Sequence, residues 1–119
     1  MKFILNLEYA ALLLLGVCAF AATDWSWWWF AALFFLPDVS MAAYLFGPKA
    51  GAWTYNLFHH FGVAVLLYLA GSYFSTAELE LAGIMMFSHS SFDRLLGYGL
   101  KYTDSFQFTH LGKIGKKRT

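Results

Sequence analysis

The sequence contains a single cysteine, Cys18, among 119 residues. One thiol cannot form an internal disulfide, and it excludes the paired Cys-x-x-Cys motifs of zinc ribbons and thiol oxidoreductases. Because Cys18 lies within an apolar run, we expect it to pack as a small hydrophobic residue.

Charged residues are also scarce. They form 13% of the chain, whereas hydrophobic residues form 60% and aromatic residues 21%; a soluble domain has ~25% charged and roughly 45–50% apolar residues. The chain has eight Lys and Arg and seven Asp and Glu. It therefore has no strong positive electrostatic field that would attract nucleic acid, and we expect no nucleic-acid partner. This composition excludes a disordered chain and an ordinary soluble domain, and it makes the lipid bilayer the expected partner.

Four apolar stretches occupy most of the chain, and each is long enough to cross the ~30 Å hydrocarbon core as a helix of about 20 residues. Short breaks with turn residues separate them, so neighbouring helices are expected to run antiparallel. We predict an all-α fold: a four-helix transmembrane up-and-down bundle over residues 1–102, then a short basic cytoplasmic interfacial tail over 103–119. In an alternative interpretation the first stretch is a cleaved signal peptide. The stretches are 3–22, 26–47, 51–73 and 79–98.

Positive charge lies on one side of this predicted topology. The side that holds both termini and the central loop carries the cations, and the two remaining loops carry only acids. The positive-inside rule therefore predicts a multi-pass protein of the cell (inner) membrane with both termini cytoplasmic. The cations are Lys2, Lys49, Lys101, Lys113, Lys116, Lys117 and Arg118, and the acids are Asp24, Glu78 and Glu80.

Polar residues occur at matching depths in all four stretches. Ionisable groups are costly inside a bilayer and usually face the interior of a helix bundle. Residues three or four apart share a helix face, and Pro37 should kink its helix just before an acid. We therefore predict one shared site in the cytoplasmic half, with His60 turned away. Counted at about 1.5 Å per residue, Glu8, Asn56 and Asp93 lie about 8 Å deep, and Asp38, His59 and His89 about 13 Å deep.

The chemistry of this set favours a metal. Carboxylates from Glu8, Asp38 and Asp93 with imidazoles from His59 and His89 form a mixed oxygen and nitrogen ligand set, which suits Zn, Mn or Fe. We predict a divalent metal bound by residues of this set. The residues leave three alternatives open: a hydrogen-bonded cluster that joins helices without any ligand, a proton or ion pathway, and haem bound by two of the histidines.

Several motifs also match a known family. On these residues the chain resembles a small bacterial membrane protein family catalogued as domain of unknown function 4260, over nearly its whole length. The resemblance implies one membrane fold and no particular activity. It favours His59 over His60 as the site residue and adds His110 as a candidate. The motifs are Leu7-Glu8, Pro37–Met41, Tyr55–His59, His89–Tyr102 and Thr109–Gly112.

A fainter similarity is to bacterial inner-membrane metal-dependent hydrolases. It rests on the Pro37-Asp38 step and on His89 followed by Asp93; the acid-rich run that follows the Pro-Asp step in those hydrolases is absent. The resemblance implies that Asp38, His59, His89 and Asp93 are the ligands of a metal that activates water. It further implies catalytic roles for Glu8, as ligand or general base, and for Arg94 or Lys101, as a clamp for an anionic group.

The sequence thus predicts an integral membrane protein that binds a metal and acts as a hydrolase on a lipid-phase substrate or an anionic lipid headgroup. The alternative is a non-enzymatic structural or accessory membrane protein whose buried polar cluster joins its helices. Enzymatic and non-enzymatic functions both stay open at this point, and either is compatible with a homo-oligomer.

Overall fold

The computed structural model describes residues 1–100, 108–109 and 111–113. The predicted all-α class is confirmed for these residues, apart from a small antiparallel hairpin in which Phe108 pairs with Lys113. The rest of the predicted 103–119 tail lies outside the described residues. The elements are α1 (Lys2–Ala21), α2 (Trp27–Leu33), a 3-10 helix (Leu36–Phe46), α3 (Pro48–Phe58), α4 (Phe61–Tyr73), α5 (Ala77–Leu95), β1 (Phe108–Thr109) and β2 (Gly112–Lys113).

Two helical segments of the described chain are long and apolar enough to cross a membrane. They are Lys2–Ala21, which is α1, and Trp27–Phe46, which joins α2 to the 3-10 helix. Helix α4 is apolar but shorter, at 13 residues, and α5 carries acids in its first turn and Asp93 and Arg94 near its end.

Helix α5 is the centre of the fold. Helices α1 and α4 both pack along it, and 11 of its 19 residues are buried. Its apolar residues Leu81, Ile84 and Met85 form a core cluster with Phe20 of α1. Gly83 allows α4 to approach closely, since a Cβ at this position would lie only 2.6 Å from a backbone oxygen of α4.

Pro37 divides the second apolar stretch. Because proline has no backbone N–H, the carbonyl of Leu33 loses its helical partner. Helix α2 accordingly ends at Leu33, and the chain continues as a 3-10 helix from Leu36. The Asp38 N–H donates to the Phe35 carbonyl at 3.1 Å, which is the i to i−3 pattern of a 3-10 helix. The predicted kink before Asp38 is confirmed as a change of helix type.

The third apolar stretch is two helices, so the prediction of one continuous helix over 51–73 is wrong. Nδ1 of His59 lies 2.8 Å from the Tyr55 carbonyl, which the His59 N–H would bind in a continuous helix. That N–H donates to the Asn56 carbonyl instead, at 3.2 Å. Side-chain competition for a backbone acceptor thus ends α3. His60 then begins α4 as its N-cap, and its Nδ1 accepts from the Val63 N–H at 3.3 Å.

A glycine closes the end of α5. Gly97 has φ 94°, and its N–H donates to the Arg94 carbonyl at 3.1 Å, while the Tyr98 N–H donates to the Asp93 carbonyl at 2.8 Å. These two bonds form a Schellman motif. They fix the last turn of the helix, which carries Asp93.

Candidate metal centre

Four side chains from three segments meet at one point. Asp38 comes from the 3-10 helix, His59 from the end of α3, and His89 and Asp93 from successive turns of α5. Each offers a ligand atom, and all four atoms lie within 4.8 Å of one another. The His59 and His89 ring centres are 5.0 Å apart, so the structure brings together the four residues that were predicted as metal ligands.

Nitrogen and oxygen alternate around this cluster. His59 Nε2 lies 3.1 Å from Asp38 Oδ1 and 3.4 Å from Asp93 Oδ2. His89 Nε2 lies 3.0 Å from Asp38 Oδ1 and 3.1 Å from Asp93 Oδ2. Each carboxylate oxygen therefore faces both imidazoles, and each Nε2 faces both carboxylates.

Burial is unequal among the four. The side chains of His89 and His59 are 0% and 3% exposed and that of Asp93 is 12% exposed, whereas that of Asp38 is 31% exposed. The cluster is therefore reached from outside along Asp38. Phe34 and Phe35 pack with their ring centroids 5.4 and 6.0 Å from that of His89, and they make the surroundings of His89 apolar.

The hydrogen-bond pattern sets the tautomer of His59. A carbonyl oxygen only accepts, so Nδ1 of His59, at 2.8 Å from the Tyr55 carbonyl, must carry a hydrogen. In the neutral imidazole Nε2 then holds a lone pair, and it points at two carboxylate oxygens. The Nε2 lone pair and the two carboxylate oxygens are all hydrogen-bond acceptors. They can lie this close only if a proton or a metal cation lies among them.

The spacing of the four atoms suits a metal ion. Ligands at about 2.0–2.2 Å from a four-coordinate zinc stand about 3.3–3.6 Å apart in a tetrahedron. Three of the four nitrogen–oxygen separations, at 3.0–3.1 Å, are slightly shorter than this spacing, and the fourth, at 3.4 Å, falls within it. All four ligand atoms lie within 4.8 Å of one another. A carbonyl that binds the other ring nitrogen of a ligating histidine is also common in metal sites, and Tyr55 supplies one. The buried group can therefore hold a metal ion.

Tyr55 is a site residue that the sequence analysis missed. Its ring stacks on the His59 ring, with centroids 3.8 Å apart and an interplanar angle of 9°. Its hydroxyl donates to Asp93 Oδ2 at 3.3 Å. The available signal was its spacing, since Tyr55 precedes His59 by four residues and so lies on the same face of α3.

Arg94 lies beside the cluster, but its side chain points to the break between helices α3 and α4. Its Nη2 donates to the His59 carbonyl at 3.3 Å, and its Cζ lies 4.6 Å from the centroid of the Phe61 ring. Among the residues that the structure describes, Arg94 has no ion pair with Asp93 or Glu8. It thus satisfies a backbone carbonyl that the broken helix leaves open.

Glu8 is not among the residues brought together. Its side chain is exposed on α1, because α1 meets α5 through Gly16, and a residue eight positions away is rotated by about 80° around the helix. Asn56 is half-buried on α3 and is not one of the four clustered residues. His60 is exposed, in agreement with the prediction that it turns away. The roles predicted for Lys101 and His110 concern positions outside the described residues.

One nitrogen at the centre has no hydrogen-bond partner within the described part of the chain. It is His89 Nδ1, which is fully buried, and the buried hydroxyls of Ser88 and Ser90 on the same helix share this property. The neighbouring Ser91 hydroxyl instead donates to the Phe87 carbonyl at 2.8 Å.

Fold and site together define a class: a predominantly helical chain that has, among its described residues, two segments able to span a membrane and a buried Asp/His/His/Asp group able to hold a metal. The chain belongs to the family described as Domain of unknown function (DUF4260), which matches residues 2–114. This match confirms the family suggested by the motifs. No curated protein and no solved structure matches the chain, so the similarity to metal-dependent hydrolases receives no support.

Proposed function

We propose that this protein is an integral membrane protein that binds one divalent metal ion through Asp38, His59, His89 and Asp93. One observation carries the proposal: both Nε2 atoms lie 3.0–3.4 Å from the same two carboxylate oxygens, while Nδ1 of His59 is committed to a carbonyl. A divalent cation placed among these atoms neutralises the buried carboxylate of Asp93 and the half-buried carboxylate of Asp38, and it binds the Nε2 lone pairs. Mixed nitrogen and oxygen ligands favour Zn, Mn or Fe.

The first experiment is metal analysis of the detergent-purified protein. We expect near-stoichiometric metal in the wild type and its loss in His89→Ala and in His59→Ala, since each removes one of four ligands. Asp93→Asn should weaken binding sharply, because a neutral amide replaces an anionic ligand. The matched control is His60→Ala. It deletes the neighbouring imidazole, which is exposed and lies outside the cluster, so this variant should keep its metal.

The alternative without metal makes the opposite prediction. If the four residues only join helices, His89→Ala should cost about 0.6 kcal/mol, the average for interhelical hydrogen bonds in membranes. Asp93→Asn should then be tolerated, since it removes a buried charge. A wild-type protein that purifies without metal, and that gains no thermal stability on addition of Zn or Mn, would overturn the metal proposal in favour of an accessory protein.

We also propose that the chain crosses the membrane four times with both termini in the cytoplasm. The described surface supports a bilayer environment, since Leu45, Phe46 and Trp28 are more than 80% exposed. Asp24 and Glu80 line one cavity at the α1–α2 and α4–α5 connections, so the two acidic loops lie at one end. Lys49, at the start of α3, belongs to the opposite, basic end, which the positive-inside rule assigns to the cytoplasm.

Cysteine labelling tests this topology. In a Cys18→Ala background, a membrane-impermeant maleimide should label Asp24→Cys and Glu78→Cys on intact cells. Lys49→Cys should react only after the membrane is permeabilised. Labelling of Lys49→Cys from outside would reverse the orientation.

A finer proposal is that the metal serves hydrolysis of a lipid-phase substrate, with an anionic lipid headgroup as the group that is bound. Access supports it: Asp38 is the most exposed of the four ligands, and its neighbours in sequence Phe35 and Val39 are apolar and exposed. A bound divalent metal would act as a Lewis acid. Glu8, exposed on α1, and Arg94, which donates to the His59 carbonyl, do not stand where the resemblance implied a general base and a clamp, so the proposal rests on the metal and its four ligands.

Reconstituted protein supplied with Zn or Mn should release soluble headgroups from vesicles of anionic phospholipid. Release equal to that of His89→Ala would remove the hydrolase proposal and leave metal binding in place. Measurement of the oligomeric state in the detergent used for purification would show whether the chain forms a homo-oligomer.

A further inference from the structure

Tyr55 contacts two of the four cluster residues in three different ways. Its carbonyl accepts from His59 Nδ1 at 2.8 Å, its ring stacks on the same imidazole at 3.8 Å, and its hydroxyl donates to Asp93 Oδ2 at 3.3 Å. The residue is 3% exposed. Tyr55 therefore joins a ligand on α3 to a ligand on α5 from a buried position.

These contacts bear on the atoms that face the ion. The carbonyl bond leaves Nε2 of His59 as the nitrogen available to a metal, and the stacked ring limits rotation of the imidazole. The hydroxyl binds Oδ2 of Asp93, the same oxygen that both Nε2 atoms approach. A donor on that oxygen sets the direction of its remaining lone pair, so Tyr55 controls how both ligands point.

We propose that Tyr55 is a positioning residue that determines the metal affinity of this centre, acting on Asp93 through its hydroxyl and on His59 through its ring. This inference rests on the proposed metal function. It assigns to the tyrosine the part that outer-shell partners have in metalloproteins, where their removal typically weakens binding by 10–100-fold.

The test is Tyr55→Phe, which keeps the stacked ring and the backbone carbonyl and deletes only the hydroxyl. Zn²⁺ affinity is measured by competition with a chromophoric chelator, and bound Co²⁺ is followed by its visible ligand-field absorption. We expect Zn²⁺ to bind about 10–100-fold more weakly and the Co²⁺ spectrum to change. The matched control is Tyr68→Phe on α4, which lies among apolar residues of α1 and α5 and should bind Zn²⁺ within twofold of the wild type.

A double-mutant cycle separates positioning from general damage to the fold. If the hydroxyl acts through the Asp93 carboxylate, Tyr55→Phe should lose most of its effect on Zn²⁺ affinity in an Asp93→Asn background. An equal loss in both backgrounds, or an unchanged Co²⁺ spectrum, would overturn the inference.

The outcomes also separate this inference from the proposal on which it rests. Wild-type protein that binds Zn²⁺, together with Tyr55→Phe that binds it equally well, removes the role of Tyr55 and leaves the metal site standing. Wild-type protein that binds neither Zn²⁺ nor Co²⁺ removes both.

Discussion

Gly83→Ala tests the close packing of α4 against α5. A Cβ at Gly83 would lie 2.6 Å from the Ala64 carbonyl oxygen, 2.6 Å from the Tyr68 nitrogen and 2.9 Å from the Tyr68 Cα. The oxygen and the nitrogen are four residues apart on α4, so the added methyl would press on a backbone hydrogen bond of that helix. Neither atom can move without its helix.

The size of the effect follows from two opposing terms. Ordinary van der Waals contact begins at 3.4 Å, so the helices must separate locally by about 0.8 Å, and overpacking of this kind costs about 1–3 kcal/mol. Replacing glycine by alanine inside a helix favours folding by about 1 kcal/mol. Because the obstacle is backbone, we expect the overpacking cost to lie in the upper part of its range, at about 2–3 kcal/mol. The variant should then be destabilised by a net of about 1–2 kcal/mol.

Ala82→Gly provides the matched control. Ala82 is the exposed neighbour of Gly83 on the same helix, so this change reports helix propensity alone and should cost about 1 kcal/mol. Unfolding of both variants is followed by circular dichroism in detergent, against heat or denaturant. A Gly83→Ala protein as stable as the wild type, or more stable, would contradict the packing of α4 on α5 described above.

Two further predictions concern other backbone positions. Ser75 has φ 53° at the end of α4, a conformation that favours glycine, so Ser75→Gly should stabilise the protein by roughly 1 kcal/mol, whereas Ser72→Gly within the helix should destabilise it; equal effects in thermal unfolding would refute the reasoning. A Cβ on Gly16 would overlap the Ser88 hydroxyl, so Gly16→Ala should lower the unfolding temperature and Ser88→Ala should restore part of it, and failure of this rescue would place the cause elsewhere.

Much of the site could be predicted because it follows from rules that act along the chain. The height of a residue along a helix depends on its number, so a count along helices predicted to be antiparallel placed Asp38, His59 and His89 at one level. The spacing of His89 and Asp93 is a property of any α-helix. Pro37 changes its helix wherever it stands, because it lacks an N–H.

What was missed depends on contacts between segments or on side-chain competition. The break after His59 arises because its ring Nδ1–H donates to the Tyr55 carbonyl. The pattern of apolar residues does not predict this hydrogen bond. The rotation of α1, which leaves Glu8 exposed, depends on the fit of Gly16 against α5. Tyr55 was overlooked because a tyrosine in an apolar helix is expected to contribute bulk, and its hydroxyl becomes informative only once Asp93 is known to lie opposite.

The arrangement of helices gives the cluster a mechanical consequence. Helices α1 and α4 pack on α5, whereas α3 packs on the 3-10 helix, so the molecule divides into two subassemblies. The cluster joins them, and it links positions 21 and 51 residues apart in sequence. A chain with one cysteine has no internal disulfide to make such a cross-link, and an ion bound here would take that place. Removing the ion would then loosen the connection between the two subassemblies, leaving contacts such as Phe34 against Phe92 and Arg94 with the His59 carbonyl to hold them together.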